Sequence, residues 1–362
     1  MRIKRIQIEN LRIIQNMALA PGAGLNFICG DNGAGKTSVL EAIFLLGQGK
    51  SFRHSDAGPL IRKDQKLAQV IADLQTQGGM DAKLGIQRCN RQFVARHAGQ
   101  DVSRRSELMR LLPLQLITPQ SHELIERGPE LRRRYLDYGL FHVEQSYHQT
   151  LLSYHRALKQ RNSALRAKDI RLARSFNDQL STHSRVIVKS RQEMLLRIEK
   201  HLTIFFLETG FPVPVTLRLS RGWKSELSLN EALVKLEQQD LARGFTAAGT
   251  HRAQLKILIE GSPADKTLSR GQQKLLIYGL VLSLSQLIME ESGEPPLLLI
   301  DDLGAELDDA NSQKILGYLD STGMQIFLTV LDIHRYKLPD SAKVFHVKHG
   351  SMQNAGFESS GS

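Results

Sequence analysis

Nine consecutive residues, Gly30-Asp31-Asn32-Gly33-Ala34-Gly35-Lys36-Thr37-Ser38, satisfy the phosphate-loop pattern G-x-x-x-x-G-K-[ST] at every fixed position. A loop of this kind demands a buried strand before it and a helix after it. Its glycines let successive backbone N–H groups curl around a phosphate. Lys36 supplies an ammonium for the β- and γ-phosphates, and Thr37 a hydroxyl for Mg²⁺. Both flanks fit. Leu25–Cys29 is a short apolar run suited to a buried strand, and Lys36–Leu46 places Val39, Leu40, Ile43 and Phe44 on one helical face, with Gly47 as a stop. The segment predicts an ATP and Mg²⁺ site.

A second informative region lies far downstream. Leu268-Ser269-Arg270-Gly271-Gln272-Gln273-Lys274 opens a long apolar helix, so the Ser269 hydroxyl and the first N–H groups of the helix make an anion site. Pro295 and Pro296 end that helix, and Leu297–Ile300 reads as a buried strand delivering two carboxylates, Asp301 and Asp302. At the C-terminal edge of a parallel sheet the first can hold the metal and the second can activate water. Ala305-Glu306-Leu307-Asp308 opens the next helix, with Asp308 as a cap.

Composition narrows the partners. With 41% hydrophobic residues over 362 positions the chain can build real cores, in about two domains. The greasiest stretch, Leu275–Met289, is interrupted by Tyr278, Ser283, Ser285 and Gln286 and reads as a buried helix; no membrane span or cleavable signal is expected. Cys29 and Cys89 alone make neither a disulfide framework nor a metal cluster, so a reducing, cytoplasmic setting is expected. The net charge is +11. Between Arg156 and Arg191 ten Lys or Arg face only Asp169 and Asp178, which points to a polyanion such as DNA. Lys159, Arg161, Arg166, Lys168, Arg171 and Arg174 are the candidate contacts, with no readable element for base recognition.

Along the chain, Ile3–Ile8 and Gln15–Ala20 read as strands, and Gln69–Leu74, Lys83–Arg88 and Gln92–His97 as an antiparallel meander. Lys50–Arg53 is a basic loop. Leu114–Thr118 is a further strand, after which the texture becomes helical. Pro129 starts one helix, and others cover His142–Ala167, Arg171–Thr209 and Leu229–Leu241; strands are expected at Val213–Leu219 and Leu255–Ile259. Heptads are not sustained, so no long coiled coil is expected. The polar tail after Gly350 reads as flexible.

The order of these motifs resembles the ABC-type ATPases, and more closely the RecF family of SMC-like DNA repair proteins. The resemblance covers nearly the whole chain. It rests on Glu9-Asn10-Leu11-Arg12, the phosphate loop, Lys50–Arg53, Gln115-Leu116-Ile117-Thr118-Pro119 before Gln120, and Gly128-Pro129 with Arg132-Arg133 and Leu136-Asp137. It continues through Lys159-Gln160-Arg161-Asn162, Leu268–Gln272 and Asp301-Asp302. It implies an α/β fold: an ABC-type P-loop ATPase head, with mixed sheet and helices, built from both chain ends (1–118 and 251–350), a helical lobe inserted at 119–250, and a tail at 351–362. It implies ATP-gated homodimerisation, in which Ser269, Gly271 and Gln272 of one copy cap the nucleotide held by the other. Arg12 would meet nucleotide, and Gln120 would meet Mg²⁺ and the lytic water. The implied function is a weak, DNA-stimulated ATPase of recombinational repair that works with RecR and RecO to load RecA.

The chain departs from the wider ABC pattern in places. Asp302 stands where a Glu is usual, so slow hydrolysis is expected. No histidine follows Thr329-Val330-Leu331-Asp332 before His334, which reads as a surface residue, and His251 sits in a loop whose surroundings differ from the family's. Two other readings stay open at this stage. One is an ABC transporter motor subunit, which the length and basic charge of the chain between Lys36 and Ser269 oppose. The other is a DNA-binding module whose nucleotide is structural.

Overall fold

The computed structural model describes residues 1–53, 60–76, 78–89, 92–212, 214–304 and 307–353. The chain begins with β1 (Arg2–Leu11), β2 (Ile14–Leu19), β3 (Leu25–Cys29), α1 (Lys36–Gln48), β4 (Ala68–Gln75), β5 (Asp81–Cys89), β6 (Gln92–His97), β7 (Gln100–Asp101), α2 (Arg105–Leu111) and β8 (Leu114–Ile117). A mainly helical stretch follows: α3 (Glu123–Glu126), α4 (Pro129–Val143), α5 (Tyr147–Arg166), α6 (Ile170–Ser175), α7 (Asn177–Thr209), β9 (Val215–Ser220), α8 (Leu229–Lys235), α9 (Glu237–Arg243), β10 (Gln254–Ile259), β11 (Ser262–Pro263), α10 (Ala264–Thr267) and α11 (Arg270–Ser292). The chain returns through β12 (Leu297–Ile300), α12 (Asp309–Ser321), β13 (Ile326–Val330), β14 (Lys343–Lys348) and β15 (Ser351–Gln353).

These elements form two units, Met1–Ser121 with Ile288–Ser362, and His122–Leu287. The expected lobe at 119–250 is therefore too short at its far end. Residues 251–287 pack with the helical unit because β10 pairs along its length with β9, Tyr135 donates to the Leu280 carbonyl, and Gly279 lies against Leu202 and Phe205.

In the first unit, an antiparallel sheet ordered β2-β1-β4-β5-β6-β7 faces a mainly parallel sheet ordered β15-β14-β3-β13-β12-β8. Strand β4 alternates strictly, with Val70, Ala72 and Leu74 fully buried, as a half-exposed antiparallel strand should. Strands β3, β12 and β13 are buried at every position, the pattern of parallel strands covered on both faces. Helix α1 fills the space between the sheets and shares their core. It runs past Gly47, the expected stop, to a left-handed Gly49. Gly47 is there for packing, since a Cβ would sit 2.8 Å from the Leu112 carbonyl oxygen. Residues 351–353 of the expected tail form β15 against β14, while 354–362 lie outside the described residues.

The second unit shows where local pattern misleads. The helix expected over Arg171–Thr209 breaks at Phe176, and Leu229–Leu241 breaks at Leu236. The expected strand start at Val213 lies outside the described residues; β9 begins at Val215. Helix α11 is the one helix among the described residues long and apolar enough to cross a membrane, and 72% of its most apolar window is buried within the protein.

Arg161 corrects the list of DNA contacts. It is 1% exposed, donating Nη1 to Asp240 Oδ2 at 2.8 Å and to Thr246 Oγ1 at 2.7 Å, and Nε to Asn177 Oδ1 at 3.0 Å. Asn162 accepts from both the N–H and the hydroxyl of Thr246. A guanidinium buried to this degree and held by three side chains presents no surface to a phosphate, so the Arg161-Asn162 pair holds the lobe together. Arg191 is likewise buried on Asp137.

His251 is also structural. Its Nε2 lies 3.0 Å from the Thr246 carbonyl oxygen, so that nitrogen carries the proton, and Nδ1 accepts from the Tyr154 hydroxyl at 2.6 Å. Burial pushes its pKa down to about 4, helped by Arg252 and Arg133 and opposed by the Thr246 bond. The unfolded chain takes up this proton near pH 6.5 and the folded one near 4, so stability is lost as pH falls through that window. The loss amounts to at most about 3 kcal/mol. Urea unfolding followed by fluorescence of Trp223, the chain's one tryptophan and a member of this unit, should show it. The slope between pH 7 and 4.5 should flatten in His251→Gln, and an equal slope in both proteins would exclude His251 as its source.

Candidate nucleotide-binding site

The phosphate loop leaves β3 and enters α1 at the C-terminal edge of the parallel sheet, as its residue order requires. Gly30 (φ 149°), Gly33 (φ 78°) and Gly35 (φ 114°) take backbone conformations that favour glycine. At Gly30 space matters as much, because a Cβ would lie 2.2 Å from the Val347 carbonyl oxygen. The Gly350 N–H donates to the Ala34 carbonyl at 2.8 Å, so the β14–β15 turn braces the loop from behind. Asp31, Asn32, Gly33, Gly35, Lys36, Thr37 and Ser38 line a cavity of about 370 Å³. Lys36 Nζ folds back to the carbonyl oxygens of Gly30 at 2.6 Å and Asp31 at 3.0 Å. Burial pushes its pKa down against the pull of Asp302, Asp301 and Asp31.

Strand order brings the carboxylates to the same cavity. β13 lies between β3 and β12, with Thr329 opposite Ile28 and Leu328 opposite Ile300, so the loop after β3 and the residues after β12 flank the end of β13. Asp301 Oδ1 accepts from the Thr37 hydroxyl at 3.0 Å and from the Thr329 hydroxyl at 2.8 Å. Thr329 Oγ1 in turn accepts the Asp302 N–H at 2.7 Å. Asp302 has φ 60°, a left-handed conformation that only glycine adopts freely and Asp and Asn tolerate best among the rest. The cluster is thus a hydroxyl–carboxylate pair suited to a hard cation, beside a second carboxylate held by a strained backbone. Together with the glycine cradle and Lys36 it fits a magnesium nucleotide.

Other expected residues fall less simply. Arg12 lines the cavity, but Nε and Nη2 clamp the fully buried Glu41 at 2.8 and 2.7 Å, tying the residue just after β1 to α1. Pro119 lines the cavity, whereas Gln120 beside it is exposed and not among the lining residues. Arg53 and Ile13 line it too. Neither they nor Thr329 were expected; the one signal for Thr329 was a hydroxyl residue inside the apolar strand Ile326–Val330. Asp308 does cap α12, accepting the Asn311 N–H at 2.7 Å; Ala305 and Glu306 lie outside the described residues. His334 is exposed.

The signature segment belongs to the second unit. Ser269 is exposed and forms a reciprocal cap with Gln272: Ser269 N–H to Oε1 at 3.0 Å, and Gln272 N–H to Ser269 Oγ at 3.4 Å. Gly271 is half-buried, and Arg270 projects to pair with Glu126. Of the basic candidates, Lys159, Arg166, Lys168, Arg171 and Arg174 are exposed; Lys168 Nζ donates to the Leu241 carbonyl and Arg174 forks onto Glu237.

The phosphate-loop and carboxylate geometry on a mixed sheet, with an inserted helical unit, defines an ABC-type ATPase head of the SMC class. A family model described as RecF/RecN/SMC N terminal domain matches residues 2–353, and the fold is shared with the SMC head bound to the C-winged helix domain of ScpA, at TM-score 0.60 and 15% identity over 98% of this chain and 97% of that one. Closer likenesses narrow the class. The DNA replication and repair protein RecF of Thioalkalivibrio sulfidiphilus is 37% identical over 98% of this chain and 99% of its own length, and that of Pseudoalteromonas atlantica is 34% identical over 98% and 99%. A structure of the recombination mediator protein RecF-ATPrS in the RecFOR pathway has TM-score 0.85 at 28% identity, covering 97% of each chain. The chain belongs to the RecF family. That membership displaces the transporter-motor reading.

Proposed function

We propose that this protein is an ATP-dependent DNA-binding protein of recombinational repair and replication-fork maintenance. The observation that carries the reading is the convergence of Lys36, Thr37, Asp301 and Asp302 on one cavity in a chain of the RecF family. In this reading the 30–38 loop wraps the phosphates, Lys36 leaves its two carbonyls for the γ-phosphate, and Thr37 and Asp301 hold Mg²⁺, with Gln120 next to the lining Pro119 as a further contact. The metal, when bound, offsets charge on the phosphate oxygens. Asp302 takes the proton of the attacking water, weakly because its reach is short. Arg12 lends the cavity wall charge while tied to Glu41.

A second copy contributes Ser269, Gly271 and Gln272, whose exposed helix start offers N–H groups to the γ-phosphate. Hydrolysis removes that shared anion and frees the copies. Lys159, Arg166, Lys168, Arg171 and Arg174 contact the DNA backbone without reading sequence. RecR- and RecO-type mediators, and through them RecA loading, enter by likeness to relatives of the RecFOR pathway. The setting is cytoplasmic, at the nucleoid.

Sedimentation of the protein with a slowly hydrolysed ATP analogue should give a dimer, and duplex DNA should bind that dimer with an affinity that falls steeply with salt, at about −0.9 in log–log slope per phosphate contacted. Monomers at saturating analogue, or a flat salt response, would refute it.

A further inference from the structure

The three-stranded sheet of the second unit carries charge that the reading above does not use. Arg218 on β9 and Lys256 on β10 are direct cross-strand partners, both exposed, and neither has a carboxylate partner among the described residues. Like charges set opposite each other on an antiparallel pair, with Cβ atoms roughly 5 Å apart, repel and weaken the sheet. The two line a cleft of about 420 Å³ together with Arg132 of α4. Arg132 is held in place, because its Nη1 donates to the carbonyl oxygens of Leu124, Ile125 and Arg127 at the end of α3, and its Nε–H is buried without an acceptor. Asp265 is the one carboxylate among the lining residues, so three cations share the cleft with a single anion. Ile257 and Leu258, both buried, also line it.

We propose that this cleft binds a phosphate group, carried either by a small phosphate compound or by a nucleic-acid backbone. Two guanidinium groups and an ammonium match a tetrahedral oxyanion in charge and in number of donors. A phosphate there would turn the Arg218–Lys256 repulsion into a bridged contact and so tighten β9 against β10.

The test uses the full chain with its phosphate loop saturated by a slowly hydrolysed ATP analogue and Mg²⁺, so that added pyrophosphate reports a second site. Wild type is compared with the double variant Arg218→Gln/Lys256→Gln, using thermal unfolding read at Trp223 and the salt dependence of duplex DNA binding. Wild type should show a saturable rise in Tm with pyrophosphate that the double variant lacks. Without pyrophosphate the variant should melt no lower than wild type, since a repulsion has been removed, which separates loss of binding from loss of folding. A DNA salt slope shallower by about 1 to 2 in the variant identifies backbone phosphate as the source; an unchanged slope with the pyrophosphate response intact in wild type identifies the small compound. Equal pyrophosphate responses and equal salt slopes in the two proteins would overturn the assignment.

Discussion

Ser269→Arg should abolish the ATP-dependent dimer while leaving nucleotide binding by the single chain largely unchanged. Every described residue lining the nucleotide cavity belongs to the unit built from the chain ends, whereas Ser269 precedes α11 in the other unit. Locally the substitution costs only the cap to Gln272, about 1 kcal/mol of helix stability. At a composite site it costs far more: a long cation would occupy the space where an exposed hydroxyl and helix N–H groups are proposed to meet a γ-phosphate. Loss of such positioned donors lowers turnover by about 10²–10³-fold. Sedimentation velocity with the ATP analogue, beside nucleotide affinity measured on the same protein, makes the comparison. Wild-type dimerisation in the variant would end the composite-site proposal.

Asp302→Asn should lower turnover by about 10²–10⁴-fold, the usual contribution of a general base, with ATP still bound and the dimer longer-lived. Asparagine tolerates φ 60° about as well as aspartate, and the bond from residue 302 N–H to Thr329 Oγ1 is made by backbone, so the change removes the carboxylate and little else. Lys36→Ala is the contrasting variant, expected to lose nucleotide binding itself. Phosphate release by Asp302→Asn at the wild-type rate would take the base role away from this residue. DNA affinity measured on both variants also addresses the structural-nucleotide reading: if DNA binding is indifferent to Asp302→Asn and to Lys36→Ala alike, hydrolysis and binding are uncoupled.

The nucleotide cavity was legible because it depends on residue types at fixed spacing. A glycine with no room for a Cβ, a lysine at the first position of a helix, and two aspartates after an all-apolar strand say the same thing in sequence and in space. Thr329 was not legible: its role arises from strand order, which puts β13 between β3 and β12, and no spacing along the chain shows that. Arg161 was misread for the opposite reason. A basic run on a helix looks solvated until Asp240, Asn177 and Thr246 converge on one of its members from distant segments. Gly47 looked like punctuation because glycine often is, but its packing against the Leu112 carbonyl takes precedence, and Gly49 ends the helix instead. The lobe boundary went astray at residue 250 because strand pairing between β9 and β10, not a change of composition, sets it.

Strand β3 has a bearing on how the protein comes into being. Its two neighbours in the sheet are β13 and β14, and the loop it launches is braced by Val347 and Gly350. Every one of those supports lies about three hundred residues downstream. During translation the whole motif is therefore written out within the first fifty residues, long before its neighbouring strands and the Val347 and Gly350 braces leave the ribosome. A fragment ending before β14 keeps the phosphate-loop residues and lacks the two contacts that brace them, so it should hold nucleotide less tightly than the full chain, as a side-by-side affinity measurement would show.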